Sequence, residues 1–400
     1  MYYTDEKTIH FIQQNLTADT QKLVLSAKRY TEIADMHYVV EQIQRRNQIK
    51  TKLPHYFANA EIIIPSRIAA EQCSSEQTAL YKQQLLKGQT LCDLTGGFGA
   101  DSYYFALKTT QSIYIERFEE YCEAAKHNFK ALGIQHIDII QGDAREIELP
   151  RVDTFYVDPA RRGDANKRIF SVVDCEPNVV LLKDKLLQKG QRVIVKLSPM
   201  ADISQTLRLL PETMQVHILS VKNECKELLF ILEKAPQVPT SKVPIVCINF
   251  TTKGELQHFS FTFSDEQDCI PNYVPNVLNN TQYYLYEPNA SIMKAGGFKT
   301  IARDFAIQKV HPNSHLYLSD QFIPSFPGRV FLIDQCIDFQ SKAIKTIHKQ
   351  LKKANIATRN FPLTPDLLRK KLKIADGGEC YLFATTWNDG QKKLILTHKV

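Results

Sequence analysis

A regular alternation of strands and helices runs through residues 90–234. The predicted strands are TLCDL, SIYIE, IDIIQG, TFYVD, RVIVKL, VHILSV and ELLFILE, each short, apolar and bounded by polar residues. Strands that alternate with helices form a parallel sheet with helices on both faces. The last two strands are joined only by KNECKE, which predicts an antiparallel hairpin at the end of the block. We therefore predict an α/β fold built on a seven-stranded sheet.

The first strand leads into a turn with three glycines, in LCDLTGGFGAD. A phosphate-binding P-loop needs GxxxxGK[ST], and the absence of Lys and Arg between Leu91 and Leu107 excludes it. The dinucleotide pattern GxGxxG is matched only in part, because Ser102 follows Gly97 and Gly99 where a third glycine belongs. The turn alone therefore leaves the ligand open.

Acids recur where successive strands end. Asp93 ends the first strand, Asp101 follows the glycines, Glu116 ends the second strand and Asp143 follows the third. The carboxyl ends of parallel strands meet at one edge of the sheet, so these acids should face one crevice. An acid-rich crevice suits S-adenosylmethionine, which has a positive sulfonium and no phosphate. Any one such acid is often only a helix cap or turn residue, and the four in register are what indicate a nucleoside-carrying ligand.

Within this crevice, we expect Glu116 to bind both ribose hydroxyls and Asp143 to accept from the adenine amine. The set of predicted cofactor-binding residues is completed by Thr95, Gly97, Gly99, Ala144, Gln72 and Ser75. The last two lie in AEQCSSEQTALYK, an unusually polar helix start that could line the methionine end of the cofactor. The alternative for this segment is a simple capped helix.

The fourth strand ends in FYVDPARRGD. In methylases that act on exocyclic amines, an Asp or Asn side chain and the following Pro carbonyl accept the hydrogens of the amine, so Asp158 and Pro159 are the predicted catalytic residues. An aromatic that stacks on the base usually follows, but here Arg161 and Arg162 do, and arginine can stack on a base or bind a phosphate. Methylation of uridine carbon 5 needs a cysteine nucleophile, and KLSPM at residues 196–200 has none. The alternative is an ordinary strand end with surface arginines.

The positive charge of the chain is concentrated near its C-terminus. The net charge is +7, and residues 341–373 contain ten Lys or Arg against one acid. A basic helix is predicted over SKAIKTIHKQLKKA, and its predicted RNA-binding residues are Lys345, Lys349, Lys352 and Lys353. Since runs of charge are often only a solvated face, this segment permits an RNA partner without requiring one.

Several classes of protein are disfavoured. The nine cysteines are scattered without a CxxC pair, which argues against a disulfide framework and a zinc site, so we expect no metal and a reducing, cytoplasmic environment. The segment MYYTDEKTIH does not resemble a signal peptide. Nowhere do 18 consecutive apolar residues occur, so no membrane span or membrane partner is expected.

Taken together, these motifs resemble a bacterial family, the class I methyltransferases with a C-terminal THUMP-like domain. The resemblance extends over roughly residues 61–400 and rests on EQCSSEQTALYK, DLTGGFGAD, DPARR, LYEPNASIMKAG, HPNSHLYLSD, FPGRVF and TRNFPLTPDLLRKKLKIADGGECYLFATT. It implies a Rossmann-like seven-stranded methyltransferase core followed by small α+β domains. The expected organisation is a helical N-terminal region (1–60), a methyltransferase domain (61–234), a linker and β-hairpin (235–280), a ferredoxin-like domain (281–330) and a THUMP-like domain (331–400).

The resulting functional prediction is an S-adenosylmethionine-dependent methyltransferase that modifies a base nitrogen of tRNA or rRNA, with guanine N2 or adenine as the target. THUMP domains bind tRNA, which would suit the basic segment, although for a THUMP-like domain this is analogy. Two alternatives stay open: methylation of a small molecule or protein, and a non-catalytic protein that binds the cofactor and RNA.

Overall fold

The computed structural model describes residues 5–161, 171–234, 238–276, 278 and 282–400. The chain divides into two compact units, residues 1–214 with 228–238, and residues 215–227 with 239–400. Each unit is described by itself below.

Six α-helices precede the first strand in the described residues, and four of them lie within residues 1–60. They are α1 (Glu6–Gln14), α2 (Thr20–Leu25), α3 (Met36–Ile49), α4 (Pro54–Ala58), α5 (Arg67–Gln72) and α6 (Glu76–Gln83). The side chains of Asp5, Asp19 and Asp35 each accept a backbone N–H from the first turn of the helix that follows, which fixes where these helices begin. Helix α4 begins with Pro54, a residue that can only start a helix because it has no N–H to donate.

The sheet that follows contains the seven predicted strands. They are β1 (Thr90–Asp93), β2 (Gln111–Glu116), β3 (Ile137–Gln141), β4 (Thr154–Val157), β7 (Arg192–Leu197), β8 (Thr213–Val221) and β9 (Glu224–Glu233), and two short strands, β5 (Ala160–Arg161) and β6 (Cys175–Glu176), pair with each other. The helices between them are α7 (Ala100–Ala106), α8 (Glu119–Ala131), α9 (Val179–Lys189) and α10 (Ile203–Leu209).

The strand order is β3-β2-β1-β4-β7-β9-β8. Strands β3, β2, β1, β4 and β7 run parallel to one another, and β9 runs antiparallel to β7. This arrangement confirms the Rossmann-like prediction, including the hairpin that closes the block. Because the chain crosses from β3 back to β4 beside β1, the carboxyl ends of β1 and β4 flank the point where the strand order reverses, which is where ligands bind in such sheets.

In the second unit the predicted hairpin is formed by β10 (Ile245–Phe250) and β11 (Leu256–Phe261), which pair antiparallel, and β10 also pairs parallel with the part of β8 that belongs to this unit. The remaining strands are β12 (Tyr284–Pro288), β13 (Gln308–Lys309), β14 (Tyr317–Ser319), β15 (Gly328–Asp338), β16 (Lys353–Arg359), β17 (Ala375–Thr386) and β18 (Lys392–Lys399). The helices are α11 (Phe263–Asp268), α12 (Ala290–Ala295), α13 (Thr300–Asp304), α14 (Ser341–Gln350) and α15 (Pro365–Leu372).

Strands β12 to β18 form one sheet with the order β13-β14-β12-β15-β18-β17-β16. Glu287 of β12 lies opposite Arg329 of β15, and its buried carboxylate accepts hydrogen bonds from the guanidinium groups of Arg329 and Arg359. The segments predicted as separate ferredoxin-like and THUMP-like domains therefore share a sheet and an ion-paired centre.

The basic helix is shorter than predicted. We predicted a helix over residues 341–354, but α14 ends at Gln350 and Lys353 already begins β16. Lys353 pairs with Ala375 of β17, and Ala354 is fully buried. Strand pairing and burial thus outweigh the helical pattern of charges, since helix propensity is a weak preference that tertiary contacts override.

Candidate active site

The glycine turn between β1 and α7 has a conformation that depends on its glycines. Gly97 and Gly99 have φ angles of 54° and 79°, a left-handed region that residues with a side chain rarely adopt. A Cβ built on Gly97 would meet only the Thr95 carbonyl oxygen within 4 Å, at 3.7 Å, so the missing side chain leaves open space in the cleft that Gly97 lines.

Two buried tyrosines hold the carbonyl groups of this turn. Tyr114 donates its hydroxyl hydrogen to the Gly97 carbonyl at 2.6 Å, and Tyr56 donates to the Gly99 carbonyl at 3.1 Å. Tyr114 lies on β2, but Tyr56 lies on α4 and is fully buried. The helical N-terminal region therefore contributes directly to the conformation of the turn.

Asp93 stabilises the turn through hydrogen bonds. Its carboxylate accepts from the Thr95 N–H at 3.0 Å and from the Ser102 hydroxyl at 2.5 Å. Burial raises the pKa of Asp93 to about 7, because an apolar environment disfavours the charged carboxylate. Asp93 lines the cleft as predicted, and its hydrogen bonds also give it the role of a turn residue.

Glu116 and Asp143, the predicted ribose and adenine ligands, both line the cleft. Glu116 accepts from the N–H groups of Gly97 at 2.9 Å and Phe118 at 3.0 Å, so two backbone donors orient its carboxylate. Asp143 is held by Arg145 through two hydrogen bonds of 2.8 and 2.6 Å. The Arg145 guanidinium lowers the pKa of Asp143 to about 2.

Asp101 belongs to a buried polar cluster beside the turn. It accepts from the hydroxyls of Ser74 at 2.8 Å and Tyr156 at 2.7 Å, and it forms an ion pair of 2.8 Å with Lys82. Burial alone would raise the pKa of Asp101, but Lys82 and Lys196 outweigh it and bring this pKa below its usual value. The Lys82 side chain is completely buried, a position that a lysine occupies only when paired.

The two residues predicted from the polar helix start lie in different places. Gln72 lines the cleft, whereas Ser75 caps α6, accepting from the Thr78 N–H at 3.3 Å, and is not among the lining residues. Its neighbour Ser74 lines the cleft instead. The predicted segment therefore contributes Gln72 and Ser74 to the lining, and Ser74 is also the side chain that contacts Asp101.

Asp158, the predicted catalytic acid, lines the cleft at the end of β4. Its N–H donates to the Thr95 hydroxyl at 2.7 Å, which connects it to the glycine turn. Its carboxylate accepts a hydrogen bond from the ammonium group of Lys196, at the end of β7. Pro159 follows and is buried. Lys196 was not among the predicted site residues.

Apolar surface completes the cleft. Ala144, a predicted cofactor residue, lines it and is buried. Ile68 and Phe118 also line it, and they expose 60% and 49% of their surface, which is unusual for large apolar side chains. Tyr121 lies beside Phe118, with ring centroids 5.9 Å apart. These side chains give the cleft an apolar part of its lining.

The predicted substrate-binding residues are only partly described. The backbone of Arg161 pairs with Cys175 in the β5–β6 ladder, and Arg162 lies outside the described residues. In the second unit, Lys349, Lys352 and Lys353 are exposed. The side chain of Lys345, on α14, is likewise outside what the structure describes.

Neither a metal site nor a membrane-spanning helix is found among the described residues. They contain no group of three or more His, Cys, Asp or Glu arranged to hold a metal ion. None of their helices is long and apolar enough to cross a bilayer.

Comparison with known proteins now adds to this geometry. A model of ferredoxin-like domains matches residues 284–327, and a model of THUMP domain-like sequences matches residues 328–399. The crystal structure of a candidate methyltransferase from Porphyromonas gingivalis W83 is 35% identical, covers 100% of both chains and superposes with a TM-score of 0.88. The chain belongs to this methyltransferase family. The resemblance inferred from the motifs is thereby confirmed.

Other solved methyltransferases match a smaller part of this methyltransferase. An rRNA methylase from Streptococcus thermophilus is 14% identical over 40% of this chain and 95% of its own, with a TM-score of 0.30. TrmK of M. capricolum, solved with S-adenosyl-homocysteine, is 12% identical over 40% of this chain and 68% of its own, with a TM-score of 0.31. The comparison with curated proteins gives no match.

Several residues that line or support the cleft were not predicted from the sequence. Lys196 could have been found, because a lysine at the end of the strand beside β4 must emerge next to Asp158. Phe118 follows Glu116 by two residues and gave a weaker signal. Lys82 and Tyr56 gave none, because their contacts with α7 and the glycine turn arise only from helix packing.

Proposed function

We propose that this methyltransferase uses S-adenosylmethionine to methylate a base nitrogen in RNA. The observation that carries the proposal is the meeting of the glycine turn, Glu116 and Asp158 in one cleft at the carboxyl edge of the parallel sheet. This edge is where open α/β sheets bind nucleoside ligands.

The lining of the cleft suits the cofactor. Glu116 can accept from ribose hydroxyls, Phe118 and Ile68 offer apolar surface for adenine, and Gly97 leaves room for close approach. Carboxylates dominate the charged lining, which favours a ligand with a sulfonium and an amine over one with phosphates. The cofactor supplies an activated methyl group, so the protein has to bind it, exclude water and align the acceptor.

The proposed acceptor is a base nitrogen because of Asp158 and Pro159. A carboxylate at this point can accept a hydrogen bond from an N–H and so aim the nitrogen into the cleft. The map of methylated nucleosides described below decides between guanine and adenine as the target.

The proposed RNA partner is supported by the basic segment of the second unit. The exposed lysines at 349, 352 and 353 are joined by Lys370, Lys371 and Lys373, which are also exposed. Phosphate contacts by lysines release counterions, so binding should weaken with salt, each contact adding roughly 0.9 to the logarithmic slope on duplex and roughly 0.7 on single strands.

The decisive experiment is a map of methylated nucleosides in total RNA from a deletion strain and its parent, followed by transfer of labelled methyl groups to the deletion-strain RNA. One modification missing from the deletion strain and restored by the purified protein would support the proposal. Transfer only to small molecules or proteins, or cofactor binding without any transfer, would favour one of the two alternatives.

The RNA surface has its own test. Reversing the charge of Lys349, Lys352 and Lys353 to Glu should weaken RNA binding at least tenfold and reduce its salt dependence, whereas reversing three exposed lysines of the first unit (Lys7, Lys108 and Lys126) should do less. Equal effects of the two triple variants would mean that the basic segment is only a solvated face.

A further inference from the structure

Asp158 and Lys196 form a pair that the sheet register imposes. Val157 of β4 lies beside Val195 of β7 in a parallel ladder, so the next residue of each strand emerges at the same edge. The Lys196 ammonium donates to the Asp158 carboxylate, and the two side chains retain 13% and 37% of their exposure. The lysine is the more enclosed partner, and the carboxylate is the one that lines the cleft.

The charges around Asp158 come from four elements. Burial raises the pKa of Asp158, Lys196 on β7 opposes this, Asp101 on α7 raises it further and Lys82 on α6 lowers it. The negative charge of Asp158 in turn raises the pKa of Asp93, at the end of β1. Two lysines thus face three carboxylates. Of the two lysines, Lys196 has the larger effect on Asp158, because it contacts the carboxylate directly, whereas Lys82 pairs with Asp101.

We propose that Lys196 is a positioning residue that keeps the Asp158 carboxylate ionised, so that this carboxylate accepts the proton of a substrate N–H. This inference rests on the proposed function and narrows it. It selects acceptor nitrogens that carry hydrogen, an exocyclic amine or a ring N–H, over ring nitrogens without hydrogen.

The proton and electron balance follows directly. The lone pair of the substrate nitrogen forms the new N–C bond, and the electrons of the broken S–C bond stay on the departing sulfur, which becomes a neutral thioether. The nitrogen would then carry a positive charge, which it loses when its proton passes to an Asp158 oxygen. Solvent removes that proton and restores the carboxylate paired with Lys196. A neutral Asp158 could not complete this step.

The first test needs neither cofactor nor RNA. The variants are Lys196→Met, Lys196→Arg and the matched control Lys183→Met, which breaks a lysine–carboxylate pair of equal lysine exposure, 13%, away from the cleft. Each is compared with the same variant carrying Asp158→Asn in denaturation experiments from pH 4 to pH 9. The difference within each pair reports the protonation of Asp158.

The raised pKa of Asp158 determines the direction in which stability changes with pH. A carboxyl with a raised folded-state pKa stabilises the fold at low pH, and this contribution is lost as pH rises through that pKa. Lys196→Met should move the loss to higher pH by about one unit or more, since an opposite charge in contact lowers a carboxyl pKa by roughly that amount. Lys196→Arg and Lys183→Met should leave it in place. An unmoved transition in Lys196→Met would overturn the proposal.

The second test measures single-turnover methyl transfer to deletion-strain RNA against pH. Lys196→Met should shift the pH dependence of transfer to higher pH, with a loss of up to about tenfold on the acid side of the profile and recovery at pH 9, because below the pKa one pKa unit changes the ionised fraction about tenfold. A loss that is equal at every pH, or a product methylated on a ring nitrogen that never carried hydrogen, would refute the proton-accepting role. If the wild type transfers no methyl group to RNA, the proposed function fails, and the denaturation experiment still decides whether Lys196 keeps Asp158 ionised.

Discussion

The two sides of the cleft hold their carboxylates in different ways. On the turn side, Glu116 is oriented by two backbone N–H groups, and neutral tyrosine hydroxyls hold the carbonyls of the turn. On the strand-end side, Asp158 is paired with Lys196, whose side chain is nearly buried. A carboxylate that only binds ligand hydroxyls can be positioned by neutral donors. One that must stay charged against burial and a neighbouring acid needs a cation.

The largest expected effect is on the strand-end side. Asp158→Ala should reduce single-turnover methyl transfer roughly 10²-fold or more, because alignment of the acceptor is lost, while cofactor affinity changes little. Asp158→Asn should lose nearly as much, because its amide carbonyl can still accept a hydrogen bond but cannot take up the proton. Calorimetry with the cofactor and rapid-quench assays with RNA separate the two quantities, and Asp184→Ala, an exposed position on α9, serves as control. Wild-type transfer rates in Asp158→Ala would remove this residue from the mechanism.

Substitutions on the turn side should change the affinity for the cofactor rather than the rate of methyl transfer. Glu116→Ala should weaken S-adenosylmethionine binding about tenfold or more, the effect of losing a charged hydrogen bond worth roughly 1.5–3 kcal/mol. Glu116→Gln should lose less, because its carbonyl oxygen remains. Unchanged affinity in a folded Glu116→Ala protein, measured by calorimetry, would contradict the assignment of Glu116 to the ribose.

A smaller effect should come from the helical N-terminal region. Tyr56→Phe removes only the hydroxyl that donates to the Gly99 carbonyl, so cofactor affinity should fall about fivefold, as expected for one neutral hydrogen bond of about 1 kcal/mol. Tyr114→Phe, which removes the matching hydrogen bond to Gly97 from within the sheet, provides the comparison. If Tyr114→Phe loses affinity and Tyr56→Phe does not, α4 supports the fold without affecting cofactor binding at the turn.

The last effect is on stability alone and concerns its pH dependence at Asp93. Burial raises the pKa of Asp93 to about 7, so the stability it contributes is present at low pH and lost as pH rises through 7. The melting temperature of the wild type relative to Asp93→Asn should therefore fall by roughly 5–10 °C between pH 5 and pH 8, the change that about 2–3 kcal/mol produces in a domain of this size. A constant difference across this range would show that Asp93 keeps one protonation state.

The fold was predictable where local patterns and packing agree. The strands of the methyltransferase sheet, the glycine turn and the hairpins followed from apolar runs and turn residues, and the register of parallel strands brought Asp93, Glu116, Asp143 and Asp158 to one edge. The basic helix was overextended because its last turn looks helical by charge spacing alone. Lys353 instead pairs with a strand that starts 22 residues later at Ala375, a contact that no short window of sequence contains.

Within the site, residues that depend on local sequence were predicted, and residues that depend on distant contacts were not. The acids were found because each is the last residue of its strand or lies close behind it, a local property. Lys82 and Tyr56 act on Asp101 and Gly99 through contacts made by whole helices. The sequence shows that these helices exist, but it does not show which side chain each one turns towards the cleft.

The sheet shared by β12 and β15 limits how the molecule can be dissected. Removing residues 328–399, which match the THUMP domain-like model, would take away β15 and leave both the edge of β12 and the Glu287 carboxylate without their partners. An exposed strand edge promotes aggregation, and a buried carboxylate without its arginines is strongly destabilising. A truncated protein that loses activity would therefore report a damaged fold rather than a missing RNA contact. Point substitutions on the exposed lysines are the cleaner way to ask what the C-terminal part binds.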